Sequence, residues 1–332
     1  MISHNRTALL RQALDSIEAA CRFYAGPLEV EIFLGINGPD RATSAMISEL
    51  KFERQAPLTT VAISDPLSPA AARNRMLAFA KRPWLFFLDD DAWVGEDFFC
   101  ILAAALEKFP MAGALGGPNL TPPQSNLFQR ASGAALTSRF AAATSRVRYF
   151  AGSTCAVPCG DESLILCNLL IRRSALGSLR FPDRFVCNEE NWVLQDLRRL
   201  GYTLIYDPRL VVWHERRPKL LQFARQVHKY GIGRGQNIRY RPSSTGVQHL
   251  IPAFCLLFSL LTLVVLPWFP FLTQVWFGLV IVYLLVWSYS IVQLRLSRLE
   301  VTKVCALSGL LFPVIHLSYG AGVLRGLTSR DV

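Results

Sequence analysis

An α/β domain on a largely parallel sheet, followed by C-terminal transmembrane helices, is the architecture this sequence predicts. Two patterns predict it. Over the first 215 residues, apolar runs of strand length alternate with runs of helix length, and no stretch is repeated or of low complexity. From Leu250 to Leu294 there is then no Asp, Glu, Lys, Arg or His for 45 residues, a run interrupted by Pro267 and Pro270. A membrane helix needs about 20 apolar residues, so that run is long enough for two spans joined by a short turn.

Taken in order, "LEVEIFLGI" (28–36) and "TTVAI" (59–63) are strands, "AARNRMLAFAKR" (71–82) is a helix, and "WLFFL" (84–88) is a strand that runs into Asp89, Asp90 and Asp91. "EDFFCILAAALEKF" (96–109) is a helix and "AGALGG" a strand, while 120–160, rich in Ser, Thr, Ala and Pro, reads as a loop region. In such folds ligands sit at the carboxyl ends of the strands, where the three aspartates stand. The division expected is 1–215 for the α/β domain, 216–245 for a basic segment and 246–332 for the membrane part. Spans are expected at 250–268 and 272–293, with a third candidate at 304–324 whose sole ionisable group is His316.

The net charge of +11 is unevenly spread. Between Asp207 and Thr245 nine Lys or Arg face two acidic residues. A basic belt that ends at a membrane span points to lipid headgroups or an anionic lipid-linked substrate rather than to nucleic acid. Leu220, Phe223, Ala224, Val227 and Gly231 recur at helical spacing, with Lys219, Arg225 and Lys229 elsewhere on the wheel, which predicts an amphipathic helix lying on the bilayer. A plain surface helix has the same pattern. Arg234, Arg239 and Arg241 before the first span, and Arg295, Arg298 and Lys303 after the second, place 1–245 in the cytoplasm by the positive-inside rule. The opening is polar and carries no signal-peptide pattern. Eight scattered cysteines without a C-x-x-C pair fit reduced thiols, and Cys155, Cys159 and Cys167 lack the usual zinc spacing.

Three adjacent carboxylates repel one another, so such a cluster is stable mainly when a cation or a set of donors shares it. On extended backbone Asp89 and Asp91 point the same way, which suits Mg²⁺ or Mn²⁺ held by one or two carboxylates with phosphate oxygens completing the shell. An acidic turn capping the next helix is the plainer reading of the same residues. For "NEEN" (188–191), the plainer reading is a helix N-terminus, where Glu is favoured by the dipole.

The ordered set "MISHNRTALLRQALDSI", "AARNRML", "WLFFLDDDAWVGEDFF", "CNLLIRRSAL" and "CNEENWVLQDLRRLGYTLIYDPRLVVWHERR" resembles glycosyltransferase family 2, enzymes of the GT-A fold. The tail "QFARQVHKYGIGRGQNIRYRP" followed by spans is similar to the succinoglycan-type exopolysaccharide transferases. This resemblance implies inverting, Mg²⁺- or Mn²⁺-dependent transfer from a nucleotide-sugar donor to a lipid-linked saccharide or polyprenyl-phosphate acceptor. It places the protein in the bacterial inner membrane as a multi-pass protein, serving surface polysaccharide assembly. It makes Asp89, Asp90 and Asp91 the donor- and metal-binding motif, with Asn5, Asn37 and Arg73 also at the donor and His214 near metal or diphosphate. Glu189 and Glu190 fall on the family's acidic pair, Glu190 at the position of the base. Arg216, Arg217, Arg225 and Arg234 would meet the acceptor's phosphate or lipid headgroups.

Two departures bear on the donor end: Ile36 stands where the family commonly has a nucleoside-contacting Asp, with Asp40 as a possible substitute, and the first strand is short. "QFARQ" lacks the Trp of the processive synthases' Gln-Arg-Trp element. A nucleotidyl- or phosphosugar transferase using the same acidic cluster, or a non-catalytic membrane scaffold of the same fold, stay open as alternatives.

Overall fold

The computed structural model describes residues 1–50, 56–152, 155–242, 246–265, 269, 271–297 and 300–329. By its internal contacts the chain forms two compact units. The first comprises Met1–Pro122, Val147–Asp183 and Glu189–Glu215; the second comprises Pro123–Arg146, Arg184–Asn188 and Arg216–Val332.

The first unit is the α/β part. It begins with β1 (Ile2–Ser3), α1 (Thr7–Phe23), β2 (Ile32–Asn37), α2 (Arg41–Glu49), β3 (Leu58–Ile63) and α3 (Pro69–Met76). It continues with β4 (Trp84–Phe87), β5 (Ala92–Val94), α4 (Phe98–Lys108), β6 (Ala112–Gly116) and β7 (Asn119–Leu120). The second unit interposes α5 (Leu127–Leu136) and α6 (Arg139–Ala142). The first unit then resumes with β8 (Val157–Pro158), β9 (Leu169–Arg172), α7 (Arg173–Leu176), α8 (Glu189–Arg199), β10 (Thr203–Tyr206) and β11 (Val212–His214).

The sheet β1-β2-β3 is parallel throughout, in the register Ile2↔Gly35 and Ile36↔Ala62. A second sheet, ordered β4-β9-β6-β10-β8, is mixed, with β6 and β10 parallel and β9 antiparallel to both its neighbours. A small third sheet, β5-β11-β7, sets His214 opposite Ala92. The α/β class with parallel strand pairing is therefore as the sequence predicts. Local chemistry explains the boundaries. Asp40 caps α2 by accepting from the Thr43 N–H at 3.0 Å, and Ser68 caps α3, with Pro69 at its first position. On α1, Leu10, Ala13, Leu14, Ile17 and Cys21 recur every three or four residues and are buried, and Leu10, Leu14, Ile17 and Cys21 form a core with Leu34, Leu88, Phe98 and Leu115. The α-amine of Met1 donates to the Phe33 carbonyl at 2.8 Å, and an apolar cavity of about 500 Å³, lined among others by Phe33, Trp84, Phe86 and Leu106, lies between β2 and β4.

The second unit is helical, adding α9 (Leu220–Tyr240), α10 (Ile251–Val265), α11 (Phe271–Leu296) and α12 (Thr302–Thr328) to α5 and α6. Here several expectations change. Residues 120–160 are not simply loop: Asn126 and Gln129 form a capping box that starts α5, and the Ala131 carbonyl accepts from the Ser308 hydroxyl on α12 at 2.9 Å. Arg130 pairs with Glu300, and His316 meets the Phe140 carbonyl at 2.8 Å, so 123–146 groups with the C-terminal helices rather than with 1–215.

The first expected span also changes. Among the described residues it is the 15-residue α10, short of the length needed to cross a bilayer, while α11 and α12, of 26 and 27 residues, are both long and apolar enough. The turn at Pro267 and Pro270, and Arg298, lie outside the described residues. Of the most apolar stretch of α11 only 6% is buried, against 44% for α12. The core helix of a soluble protein passes the same length test, so the separation between the two lies in what covers them.

Helix α9 is not laid out for a bilayer surface. Its buried stripe, Phe223, Val227 and Gly231, is covered within the helical unit: Phe223 stacks edge-on against Phe128, and a Cβ at Gly231 would lie 2.2 Å from the Tyr319 carbonyl of α12. Leu220 is exposed. The periodicity was real, but another helix occupies the face expected to meet lipid.

Candidate active site

The end of β4 builds the site. Buried Leu88 anchors the strand, and the backbone turns through Asp89, Asp90 and Asp91 into β5. Because β11 pairs antiparallel with β5, its last residue is delivered beside the turn: the His214 Nε2 lies 3.0 Å from the Asp91 carboxylate, and the Glu215 N–H donates to the Asp91 carbonyl at 2.9 Å. Asp89, Asp91 and His214 each offer a ligand atom, all within 4.8 Å of one another, so this trio could hold a metal ion. His214 Nδ1 is buried without a partner among the described residues.

Two arginines grip the carboxylates. The Arg6 guanidinium donates to Asp91 at 2.6 Å and to Asp90 at 3.0 Å. Arg73 donates to Asp89 at 3.0 Å with one nitrogen and to Glu189 at 2.7 Å with another, bridging the strand end to the first turn of α8. Asp90 faces inward; burial pushes its carboxyl above the usual range despite the pull of Arg6, and the Asp91 charge pushes the same way.

Beyond the bridge stands Glu190. It is buried, its carboxyl pushed up to about 7 by burial and then by the neighbouring Glu189 charge, against the opposing pull of Arg148 and Arg73. Arg148 approaches to 3.9 Å, and its guanidinium also donates to the Asp161 carbonyl at 3.1 Å and to Asn191 at 3.4 Å. Asp161 is fixed in turn by Asn191 and Gln195 of α8, at 3.2 and 3.0 Å. The two glutamates therefore differ: Glu189 is pinned by a salt bridge, whereas Glu190 is a carboxyl whose proton exchanges near neutrality.

Among the residues expected in the site, Arg73, Asp89, Asp90, Asp91, Glu189, Glu190 and His214 come together within the first unit. Asn5 and Asn37 serve the backbone. Asn37 exchanges two hydrogen bonds of 2.9 Å with Leu67, and Asn5, at φ +54°, gives its N–H to Asp40 at 2.8 Å. Both Asp40 oxygens are engaged, with Thr43 and Asn5, so it is committed to the helix cap. The four arginines expected at an acceptor or headgroup separate by exposure: Arg225 is exposed and Arg217 half-buried, but Arg216 and Arg234 are buried and do not present a surface to a bilayer. Sequence reasoning passed over Arg6 and Arg148 as site residues. Arg6 had one signal, its place next to Asn5 in the opening motif; Arg148, one of three arginines in 139–148, had none.

A profile of the family described as Glycosyl transferase family 2 matches residues 1–179. Comparison with curated protein sequences returned no match. Among solved structures, the mannosyltransferase PcManGT from Pyrobaculum calidifontis, in complex with GDP-Man and Mn²⁺, is similar at 16% identity and a TM-score of 0.57, over 99% of this chain and 86% of that one. TarS residues 1–349 of S. aureus, with UDP-GlcNAc, is similar at 12% identity and a TM-score of 0.48, over 73% of this chain and 70% of that one. At these identities the likeness to PcManGT establishes the fold.

Proposed function

The chain belongs to glycosyl transferase family 2, and on that premise we propose that it transfers a sugar, with inversion, from a nucleotide-diphosphate sugar to a lipid-linked acceptor, with Glu190 as the base. One observation carries the assignment: two aspartates and a histidine suited to a divalent cation stand at the strand end that Arg73 bridges to Glu189, and the next residue, Glu190, is a buried carboxyl pushed up to about 7. In such a reaction the acceptor hydroxyl attacks the anomeric carbon, a C–O bond forms as the bond to the diphosphate oxygen breaks, and the hydroxyl proton passes to a general base. A base is most effective when its pKa lies near the working pH, which favours Glu190 over the salt-bridged Glu189. Asp89, Asp91 and His214 would hold Mg²⁺ or Mn²⁺, which supplies Lewis-acid stabilisation of the departing diphosphate. Arg73, within reach of Asp89, adds fixed positive charge on the same side.

Attachment to the inner membrane, with the α/β unit in the cytoplasm, is supported by the uncovered apolar surface of α11 and by the basic residues that precede α10. Arg217 and Arg225 are the arginines of the expected acceptor set that stay accessible to an anionic lipid-linked substrate. Surface polysaccharide assembly is the process that such a transferase would serve. GDP-mannose with Mn²⁺, the pair bound by PcManGT, is a sensible first probe in a panel of nucleotide sugars. Sugar incorporation into membrane lipids should occur with wild type and be lost in Asp91→Ala and Glu190→Gln; unchanged incorporation in both variants would overturn the site assignment.

A further inference from the structure

We propose that the gap between β2 and β4 is a slot for one further β-strand, filled by an extended apolar segment that is peptide-bonded to the Met1 nitrogen and runs parallel to β2. Two open edges define the slot. The sheet β1-β2-β3 ends at β1, which reaches only Gly35 and Ile36 of β2, and the five-stranded sheet ends at β4, which pairs with β9 on one side. The Ile32 N–H donates to the Pro57 carbonyl beside β3, so by strand alternation Phe33 and Gly35 face the other way. There the Phe33 carbonyl accepts from the Met1 amine at 2.8 Å and the Gly35 N–H donates to the Met1 carbonyl at 3.0 Å. The next groups down that edge are the Phe33 N–H and the Glu31 carbonyl, below the reach of β1. On β4, the Arg173 N–H donates to the Pro83 carbonyl at 2.8 Å, so Pro83, Leu85 and Phe87 bond toward β9 while Trp84 and Phe86 turn their N–H and C=O to the other edge, with which no strand pairs among the described residues.

The space between the edges is the cavity of about 500 Å³, and Met1, Ile2, Phe33, Trp84 and Phe86 all line it. Protein interiors seldom keep voids larger than a water molecule, so a gap of this size is a place for something. A second cavity of about 300 Å³ shares Leu28, Glu31 and Arg82 with the first and carries the gap on to Tyr24 and Pro57. A segment of about five residues, at ~3.3 Å each, covers the four-residue length of β4.

The chemistry of the lining selects the occupant. Apolar walls ask for apolar side chains on both faces, as on an interior parallel strand. A lipid tail would fill the same volume but leave the backbone groups of Phe33, Trp84 and Phe86 without partners, which a second backbone supplies along a whole edge. The Met1 nitrogen fixes where that backbone comes from. It already sits in strand register with Phe33, yet as a free amine it is pushed down to about 6 by burial and then by the Arg73 charge, against the pull of Asp89 and Asp90. As an amide it keeps the bond to Phe33 and has no charge to bury; a strand supplied by another chain would have to end against that amine. The slot stands whether or not the protein transfers sugar. It bears on the acidic cluster because β1 leads through Asn5, at φ +54°, to Arg6, which holds Asp90 and Asp91, so a strand pinned between β2 and β4 fixes that turn from behind.

The test compares the full chain in detergent with three versions extended ahead of Met1: Val-Ile-Val-Ile-Val, the same segment with Pro in its fourth place, and Gly-Ser-Gly-Ser-Gly. The Pro version stays apolar but loses the N–H that the register aims at the Glu31 carbonyl. Thermal unfolding and amide hydrogen exchange are the readouts. The Val-Ile version should unfold about 5 °C or more above the unextended chain, and exchange over residues 31–35 and 84–88 should slow about tenfold or more; the Pro and Gly-Ser versions should do neither. Equal gains from the Val-Ile and Pro versions would reduce the effect to apolar contact and overturn the strand. No gain from the Val-Ile version, or its failure to fold, would mean that the slot rejects a strand. Free Val-Ile-Val-Ile-Val peptide added to the unextended chain should protect less than the fused segment; protection by the free peptide alone would overturn the covalent source and assign the slot to another chain.

Discussion

Replacing Arg148 by Met should raise the pKa of Glu190 and move the alkaline-active form of the enzyme to higher pH. The guanidinium stands 3.9 Å from the Glu190 carboxylate, with both side chains nearly enclosed. At an effective dielectric of about 20 the attraction between unit charges at that separation is ~4 kcal/mol, which caps the shift at about three pH units. Pairs of this kind move a carboxyl by one to three units in practice. Wild-type Glu190 titrates at about 7, so even a one-unit rise cuts its ionised fraction at pH 7 from about a half to about a tenth, a loss of roughly fivefold in any rate that needs the base. The groups facing Glu190 are Glu189, Arg148 and Arg73, and the two glutamates titrate as a pair. The direct assay is ¹³C NMR of carboxyl-labelled glutamate in the intact protein, with the Glu190 signal identified by its loss in Glu190→Gln. Arg148→Met should shift the midpoint upward and Arg148→Lys should restore most of it. A midpoint unmoved in Arg148→Met would refute the electrostatic account and leave Arg148 as a packing residue.

Glu190 also ties stability to pH. Its folded-state pKa, about 7, lies above the 4.5 of a free glutamate, so its contribution is fully present below 4.5 and is lost as pH rises through 7; wild type should lose roughly 3 kcal/mol more than Glu190→Gln between pH 4.5 and 8 by denaturant titration. Asp91→Asn should abolish Mn²⁺ binding followed by electron paramagnetic resonance, and His214→Ala should weaken it by about 10- to 100-fold; wild-type affinity in both would remove the trio as a metal site. Gly231→Ala would press a Cβ to 2.2 Å from the Tyr319 carbonyl and should destabilise by about 1–3 kcal/mol. Gly278→Ala on α11, with nothing within 4 Å of the added carbon, should be neutral or slightly stabilising in the same melting experiment.

How far the sequence could be read depended on whether a feature is local. The β4 strand and its aspartates were legible because an apolar run meeting three like charges is visible in nine residues, and the start of α8 at Glu189 followed from acidic residues in a first turn. His214 became a candidate only through the family resemblance, since its neighbour Asp91 is 123 residues away and the β5–β11 register brings them together. Arg6 and Arg148 are balancing charges whose partners lie 85 and 42 residues distant, and no spacing rule connects them. Helix α9 failed for a different reason. Periodicity reveals that a helix has an apolar stripe, not whether lipid or protein covers it. The discriminating signal was the small-residue pattern, Gly231 and Gly235 on α9 with Gly322 and Gly326 on α12, which permits backbone-to-backbone packing that a bilayer would not require.

The charges at the strand end explain why those aspartates can be adjacent at all. Asp89, Asp90, Asp91, Glu189 and Glu190 are five carboxyl groups, and among the described residues Arg6, Arg73 and Arg148 are guanidiniums paired with them. With every carboxyl ionised and His214 neutral, the cluster is two negative charges out of balance, and the two carboxyls that burial pushes upward, Asp90 and Glu190, are where that imbalance is relieved by protons. A divalent cation in the trio would cancel the surplus, lower both of those pKa values, and draw on the same oxygens that Arg6 and Arg73 now hold. Arg73 has a second partner in Glu189, so a cation at Asp89 need not strand it; the bridge would shift its weight toward α8. The base and the metal cluster are therefore not independent parts: whatever neutralises Asp89 and Asp91 also leaves Glu190 more ionised, and through Arg73 the two events share one side chain.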